Sequence, residues 1–318
     1  MSFSYHARRR AIPLLAVLAW LAGCGSPPIA QQAPIGSSVT AVRPNAQHYD
    51  DDIYSSQPYA NDATVYKRSG TTITPVETLS AGISAPQGTV ATPSGWWYLT
   101  NAGDSNVLVY QTTRRGPKGP LAKLDDSGEI PINVAASADQ MLVAVSNETS
   151  ASSGTGSLSV YLNRQLRPSR ILVYGSDVLQ GQGVAIDPSG NCFWGFDDES
   201  HPSTAGSIVE FAGCSGPGTL VVSGITRVGG MTIDRDGNLY YIDEATGIYK
   251  CKGVVQCKPF ASGFGLPINL NFDAGEKNLW VADATGYIYA VQPSSGRIQS
   301  KTVSIDGDPY GIAPAPGG

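Results

Sequence analysis

Six copies of a short motif recur along this chain, and their spacing limits the possible folds more than any other feature. Each copy begins with Gly or Asn, continues as a short apolar run and ends in a turn. The copies are Gly88–Gly95, Asn133–Asp139, Gly183–Gly190, Gly230–Gly237, Asn269–Gly275 and Gly311–Gly317. They begin 45, 50, 47, 39 and 42 residues apart, and one four-stranded blade needs about 45 residues. The repeat predicts an all-β, six-bladed β-propeller of four-stranded blades, with each copy as an inner strand.

Aromatic and β-branched runs follow the first five motifs at regular positions, as expected for the next strands of each blade. Second strands are predicted at Trp96–Leu99, Met141–Val145, Cys192–Trp194, Leu239–Ile242 and Asn278–Val281. Third strands are predicted at Val107–Tyr110, Leu158–Tyr161, Ile208–Phe211, Gly247–Tyr249 and Tyr287–Tyr289. Outer strands, such as Ser169–Tyr174 and Arg297–Ile305, complete the units.

The sixth motif lies at the end of the chain, so the other strands of its blade have to come from the N-terminal side. Asp62–Tyr66 resembles a third-strand passage, Ile53 and Tyr54 fit a second strand, and Thr72–Leu79 fits an outer strand. We expect the last blade to be closed by strands from both termini, which leaves no open edge around the ring.

The first 23 residues have the parts of an export signal: Arg8 to Arg10, an apolar stretch from Ala11 to Leu21, and small residues before Cys24. An apolar run this short does not span a bilayer as a helix. Leu21-Ala22-Gly23-Cys24 resembles the lipobox of bacterial lipoproteins, which implies cleavage before Cys24 and acylation of its thiol; an ordinary signal peptide is the alternative. In that family, an Asp directly after the cysteine is the usual signal for retention in the inner membrane. Gly25 stands at that position here, which favours the outer membrane.

Three segments are therefore predicted: a signal peptide at 1–23, a lipidated Cys24 with a flexible tether at 24–47, and the propeller at 48–318. The tether is rich in Pro, Gln, Ala and Ser and cannot bury enough apolar surface to fold. After cleavage, 18 Lys and Arg residues stand against 26 Asp and Glu, a net charge of −8. That charge argues against nucleic acid as a partner.

Four cysteines follow Cys24, and an even number suits disulfides in an oxidising compartment. A hairpin turn centred near residue 203 would place Cys192 opposite Cys214. Cys251 and Cys257 flank a loop short enough for a hairpin bridge. A zinc site is the alternative, but the spacings are not paired CxxC motifs and lie in different repeats.

Two of the motifs carry a family resemblance. Gly183–Asn191 and Gly230–Asp243 look like NHL repeats, and the segment from Tyr98 to Gly103 resembles bacterial surface repeats built on a Tyr-Val-Thr-Asn core. The resemblance covers about residues 50 to 318 and implies a propeller. It implies no single activity, because such folds serve both as enzymes and as binding modules.

We call the end of the propeller at which the inner strands begin the loop face, since the loops after the second strands lie there too. Four glycines and two asparagines stand at the starts of the inner strands on this face, and two explanations are open. The glycines allow close approach of neighbouring backbones, or Asn133 and Asn269 face each other across the open centre and bind a polar ligand. A ring of acidic and amide side chains should surround them; its members include Asp197, Asp198, Asp243 and Asp283. Such a ring binds Ca²⁺, or else its members cap turns.

A metal-dependent lactonase is the main enzymatic alternative, by resemblance to the gluconolactonase and regucalcin propellers, which hold a divalent metal in the channel. Asn133 and Asn269 match the amide ligands, and Asp308 or Asp243 matches the base. The central Glu ligand has no counterpart: Pro86-Gln87-Gly88 stands at an equivalent place. The only histidines after residue 23 are His48 and His201, and neither is placed to act in the channel.

The sequence thus favours a lipid-anchored, monomeric, non-catalytic module of the bacterial envelope that needs no cofactor. Its expected partners are the membrane, through the anchor, and a protein, peptide or glycan on the loop face.

Overall fold

The described part of the chain forms 24 β-strands in six antiparallel sheets of four. The computed structural model describes residues 52–150, 154–175, 179–198, 206–254, 256–305 and 307–315. The strands are β1 (Asp52–Gln57), β2 (Asp62–Ser69), β3 (Thr72–Leu79), β4 (Pro86–Thr92), β5 (Trp96–Asn101), β6 (Asn106–Thr113), β7 (Gly116–Asp125), β8 (Glu129–Ala136), β9 (Leu142–Ser150), β10 (Ser157–Leu162), β11 (Arg170–Leu172), β12 (Leu179–Ile186), β13 (Cys192–Asp198), β14 (Gly206–Phe211), β15 (Thr219–Ile225), β16 (Val228–Ile233), β17 (Leu239–Asp243), β18 (Gly247–Lys252), β19 (Gln256–Ala261), β20 (Pro267–Phe272), β21 (Leu279–Asp283), β22 (Tyr287–Val291), β23 (Ile298–Val303) and β24 (Gly311–Pro314). Single 3₁₀ turns occur at Ala102–Asp104 and Ala212–Cys214.

Each sheet is one blade of a six-bladed propeller, which confirms the predicted fold. Blades 1 to 5 are β4–β7, β8–β11, β12–β15, β16–β19 and β20–β23, from the inner to the outer strand. The closing blade has the order β24-β1-β2-β3, so its inner strand comes from the C-terminal end of the chain. In its ladder, Ser56 pairs with Gly311 and Ile53 pairs with Pro314. The closure predicted from the sequence is therefore confirmed.

Six hydrophobic clusters hold the ring together, one at each boundary between neighbouring blades. At the boundary between the closing blade and blade 1, the fully buried Trp97 stacks on Tyr54 with 4.5 Å between ring centroids. Such aromatic pairs contribute about 0.5–1.5 kcal/mol beyond their buried area. At the opposite boundary of the closing blade, Arg68 Nη1 lies 2.6 Å from a carboxylate oxygen of Asp273 in blade 5.

The two expected cysteine pairings lie at bonding distance, and one differs in register from the prediction. Cys251 and Cys257 are directly opposed in β18 and β19. Cys192 is paired in its ladder with Phe211, three residues short of Cys214. The 3₁₀ turn that follows β14 brings Cys214 back to Cys192, with 4.8 Å between their Cα atoms. The register of β13 and β14 is thus offset from the one that the sequence predicted.

The signal peptide, Cys24, the tether, His48 and His201 lie outside the described residues, so the segment boundaries at 1–23 and 24–47 remain predictions. Across the described ranges, no helix combines the length and hydropathy required to cross a bilayer.

Candidate functional site

The ring of acidic and amide side chains on the loop face is bonded to the backbone that links the blades. Asp283 accepts hydrogen bonds from the amides of Gly265, Leu266 and Thr285 at 2.7, 3.0 and 2.9 Å. Gly265 and Leu266 lie just before the inner strand of the same blade. Since Asp283 is fully buried, its carboxylate fixes the entry of the chain into blade 5.

The equivalent positions in other blades act in the same way. Asp243 accepts from the amides of Thr226 and Ala245 at 3.3 and 3.1 Å. Asp197 accepts from the amide of Val228 in the next blade at 2.9 Å. Asp198 follows it at the half-buried end of β13. The bonded carboxylate oxygens of Asp243 and Asp197 thus cap turns and links. Turn capping was one of the two roles that the sequence allowed for the ring, and Ca²⁺ binding was the other.

Burial also perturbs two carboxyl groups on this face. Burial raises the pKa of Glu244 to about 7, although Arg227 opposes the shift with its Nε 3.1 Å from the carboxylate. Burial likewise raises the pKa of Asp126 to about 6, despite a 2.6 Å hydrogen bond donated by the Ser159 hydroxyl. Both residues lie in or beside the links between blades, so their ionisation acts on the stability of the ring.

Asn133 and Asn269 face each other across the axis, as expected, and they are bonded to each other. They come from blades 2 and 5, on opposite sides of the ring, and Asn269 Nδ2 donates to Asn133 Oδ1 at 3.3 Å. The amide of Val134 donates to the same oxygen at 2.9 Å. Asn271 Nδ2 extends the network by donating to the backbone oxygen of Ile312 at 2.7 Å. The amide pair therefore closes the axis near the loop face.

Glycine is required beside these asparagines because the inner strands approach closely there. A Cβ atom on Gly88 would lie 2.6 Å from Asn133 Oδ1 and 2.7 Å from the oxygen of Ile132. A Cβ on Gly230 would lie 2.9 Å from the Cα of Asn269. The glycines at the motif starts thus serve packing, one of the two explanations that the sequence left open.

Beyond the asparagine pair, the axis widens into a cavity of about 300 Å³. We call the end of the propeller opposite the loop face the turn face, because short turns join the inner and second strands there. Asn133 and Asn271 lie at the closed inner end of this axial cavity, and Pro93, Arg235 and Glu276 lie towards the turn face. Its walls include Val90, Ala135, Ala185, Ile186, Thr232, Ile233 and Phe272. The channel is thus open at the turn face, whereas the sequence indicated a binding site at the loop face.

The donors at the axis do not fit a divalent cation. Ca²⁺ takes six to eight oxygen ligands, commonly carboxylates, whereas the closed end of the channel offers amides whose groups largely bond to one another. Asp308, the proposed base, is exposed in the segment before β24. Within the described ranges, no group of three or more His, Cys, Asp or Glu side chains could hold a metal ion.

An aromatic pair on the loop face, formed by an exposed and a half-buried tyrosine, was not predicted. Tyr59, in the turn between β1 and β2, is 70% exposed. Its ring meets Tyr310 edge-on, with 5.8 Å between centroids, and the two hydroxyls are 3.2 Å apart. The two residues are 251 positions apart, and only the closure of the last blade brings them together. No local pattern in the sequence marks them.

Comparison with solved structures finds other propellers at low sequence identity. A protein of unknown function from Desulfotomaculum acetoxidans has a TM-score of 0.58 at 12% identity, covering 84% of this chain and 100% of its own. Hydrazine synthase from Kuenenia stuttgartiensis has a TM-score of 0.58 at 14% identity, covering 89% and 93%. Regucalcin from Agrobacterium tumefaciens, a calcium-binding protein, has a TM-score of 0.51 at 13% identity, covering 69% and 74%.

No protein-family model matches the chain, and no curated protein matches it. At identities this low, the structural likeness establishes the fold and leaves the function to be argued from the site.

Proposed function

We propose that this chain is a lipid-anchored, non-catalytic binding module of the bacterial envelope, which binds a protein, peptide or glycan on its loop face. The observation that carries the proposal is the aromatic pair formed by the exposed Tyr59 and the half-buried Tyr310. Tyrosine offers a rigid apolar ring and a polar hydroxyl, and its contact area costs little conformational entropy on binding. Aromatic side chains are accordingly enriched in binding surfaces.

The surroundings of the pair favour binding to a preformed surface. The link from the closing blade to blade 1, beside the pair, is held by Asn101 and Asn61, whose side-chain oxygens accept from the amides of Ser84 and Ala85 at 2.6 and 2.8 Å. A surface fixed in this way loses little conformational freedom when a partner binds. The edge-on contact and the facing hydroxyls also restrict how the two rings can move relative to each other.

The envelope location rests on the sequence together with the cysteine pairs. Two disulfides are typical of an oxidising, extracytoplasmic compartment. The lipobox-like segment ending at Cys24 supplies the anchor, and Gly25 favours the outer membrane. A monomer is the simplest state for a ring of six blades that is closed by the last blade.

The loop-face proposal is tested with the double substitution Tyr59→Ala and Tyr310→Ala on glycan and peptide arrays. The matched control is Val76→Ala, which shortens a side chain that is 55% exposed on the outer strand of the same blade. We expect ligands of the wild-type protein to be retained by the control and lost by the double variant. If the ligands bind the double variant as tightly as the wild type, binding does not depend on the tyrosine pair and the loop-face proposal is wrong.

The anchor is tested separately by metabolic labelling with palmitate in the native host. Wild-type protein should be labelled and sediment with membranes, whereas Cys24→Ser should be unlabelled and released into the soluble fraction. Equal membrane association and labelling of the two proteins would contradict lipidation at Cys24.

A metal-dependent lactonase is the second candidate, and the neighbouring regucalcin, a calcium-binding protein, is the observation in its favour. The bonded amide pair and the missing carboxylate at the axis weigh against it. Calorimetric titration with Ca²⁺ or Zn²⁺ separates the candidates. Stoichiometric binding that is lost in Asn133→Ala would support the lactonase and contradict the non-catalytic proposal.

A further inference from the structure

Three polar groups on the axial cavity have no hydrogen-bond partner among the described residues. The amide nitrogen of Asn133 donates no bond, although its oxygen accepts two. The amide oxygen of Asn271 accepts none, although its nitrogen donates. The hydroxyl of Thr232 is likewise unpaired. None of these atoms is enclosed by protein, and all three residues line the cavity.

The position of Asn133 makes its unpaired nitrogen significant. The residue is only 7% exposed, and buried amide groups are nearly always hydrogen-bonded because desolvating them without a partner is unfavourable. The bonds to its oxygen fix the orientation of the amide. A fixed donor is therefore available where the cavity ends.

We propose that the axial cavity is a binding site for a small uncharged molecule that carries an amide or lactam group beside an apolar body. Its carbonyl oxygen would accept from Asn133 Nδ2, and its N–H would donate to Asn271 Oδ1. The Thr232 hydroxyl can serve either atom. This site opens on the turn face and does not depend on the loop-face pair.

The walls and the size of the cavity limit the chemistry and the size of the ligand beyond its amide group. The lining combines polar groups with apolar residues, among them Val90, Ile186, Ile233 and Phe272. A volume of about 300 Å³ is at the lower end of the range for small-molecule sites. A cavity of this size suits a compact ring or a short chain.

The charges near the opening are already compensated, which favours an uncharged ligand. The guanidinium of Arg235 lies 3.4 Å from the Glu276 carboxylate and donates to the oxygen of Ala274 at 2.9 Å. Asp273 is buried and pairs with Arg68 at 2.6 Å. A charged ligand would lose hydration here without gaining an unpaired countercharge.

The test uses ε-caprolactam as the probe and NMR signals of the full-length protein as the readout. We expect saturable shifts of the Ala135 and Ala185 methyl signals and of the Asn133 side-chain amide, with a Kd of about 1 mM. Methylcyclohexane, which lacks the amide, and 6-aminohexanoate, which is charged, serve as comparison probes and should bind far more weakly.

Two substitutions locate the site. Thr232→Ile fills the cavity and removes the hydroxyl, and should weaken lactam binding at least tenfold; Thr219→Ile, the same change at an exposed position of β15, should not. Asn133→Asp keeps the bonded oxygen and replaces the free donor with an acceptor, so it should also abolish binding. The Tyr59→Ala, Tyr310→Ala variant should bind the lactam normally, which separates this site from the loop face.

Three results would each overturn the proposal. The first is the absence of saturable shifts with wild-type protein up to the solubility limit of the lactam. The second is equal binding of methylcyclohexane or 6-aminohexanoate, which would remove the role of the amide groups. The third is wild-type affinity in both Thr232→Ile and Asn133→Asp while their spectra remain those of a folded protein.

Discussion

The closing blade depends on the short C-terminal strand β24. We test this dependence with a substitution at Ile312, which lies in that strand. Its side chain is fully buried, in the cluster that joins the closing blade to blade 5. Ile312→Ala removes the three carbons beyond Cβ, worth about 2.4 kcal/mol at about 0.8 kcal/mol each. Space left unfilled by the rigid neighbours adds up to about 2 kcal/mol. We therefore expect a loss of about 3 kcal/mol in the free energy of unfolding.

The matched control is Ile305→Ala, the same change in a side chain that is 54% exposed a few residues earlier. A surface change of this kind is expected to stay within about 0.5 kcal/mol. Guanidinium unfolding, followed by tryptophan fluorescence, measures both variants, and Trp280 in the same cluster reports on this boundary. The melting temperature of Ile312→Ala should fall by roughly 2–4 °C per kcal/mol.

Equal stability of the two variants would refute the reasoning, since it would mean that Ile312 is not packed between blades in solution. A truncation after Ile305 gives an independent check because it removes β24 completely. Its loss of stability should exceed that of Ile312→Ala, since the ladder with β1 is lost as well. A truncated chain as stable as the full one would contradict closure by both termini.

Three further predictions concern the links between blades and the third blade. Folding raises the pKa of Asp126 from 3.8 to about 6, so its stabilising contribution is complete below pH 4 and is lost as pH rises through 6. Urea unfolding at several pH values should show a smaller loss in Asp126→Asn than in the wild type, because Glu244 still titrates with a raised pKa in the variant. Asp283→Ala should cost about 2–4 kcal/mol in chemical unfolding, because buried amides lose a charged acceptor, whereas the exposed Asp308→Ala should cost nearly nothing. Cys214→Ser removes the disulfide to Cys192, which closes a loop with a sequence separation of 22. The free energy of unfolding, measured by calorimetry, should fall by about 3 kcal/mol. An unchanged free energy of unfolding under oxidising conditions would mean that the bond does not form.

The fold was predictable because each repeat carries the strand pattern of a whole blade. The predicted bounds of β3, Thr72–Leu79, agree with the structure to the residue. The pairing of Cys192 with Cys214 was also predictable, but its register was not. Counting from an assumed turn centre gives no sign of the 3₁₀ turn that returns Cys214 to its partner.

The site was less predictable because its features depend on side chains from distant repeats. The sequence placed Asn133 opposite Asn269, but the bond between them depends on how closely the inner strands approach. That approach also decides which end of the channel stays open. The Tyr59–Tyr310 pair forms only when the two ends of the chain meet, and local sequence patterns carry no information about such contacts.

Closure by both termini also fixes where the chain enters and leaves the propeller. The backbone oxygen of Asp52, the first described residue, accepts a hydrogen bond from the amide of Ala315, the last one, so the described chain begins and ends at the turn face. For a chain anchored at Cys24, as proposed, the tether therefore joins the propeller on that side. The cavity opens at this same end of the propeller, and Tyr59 and Tyr310 lie at the opposite end. The two candidate binding surfaces of the propeller thus face in opposite directions, one at the end where the tether joins and one at the far end.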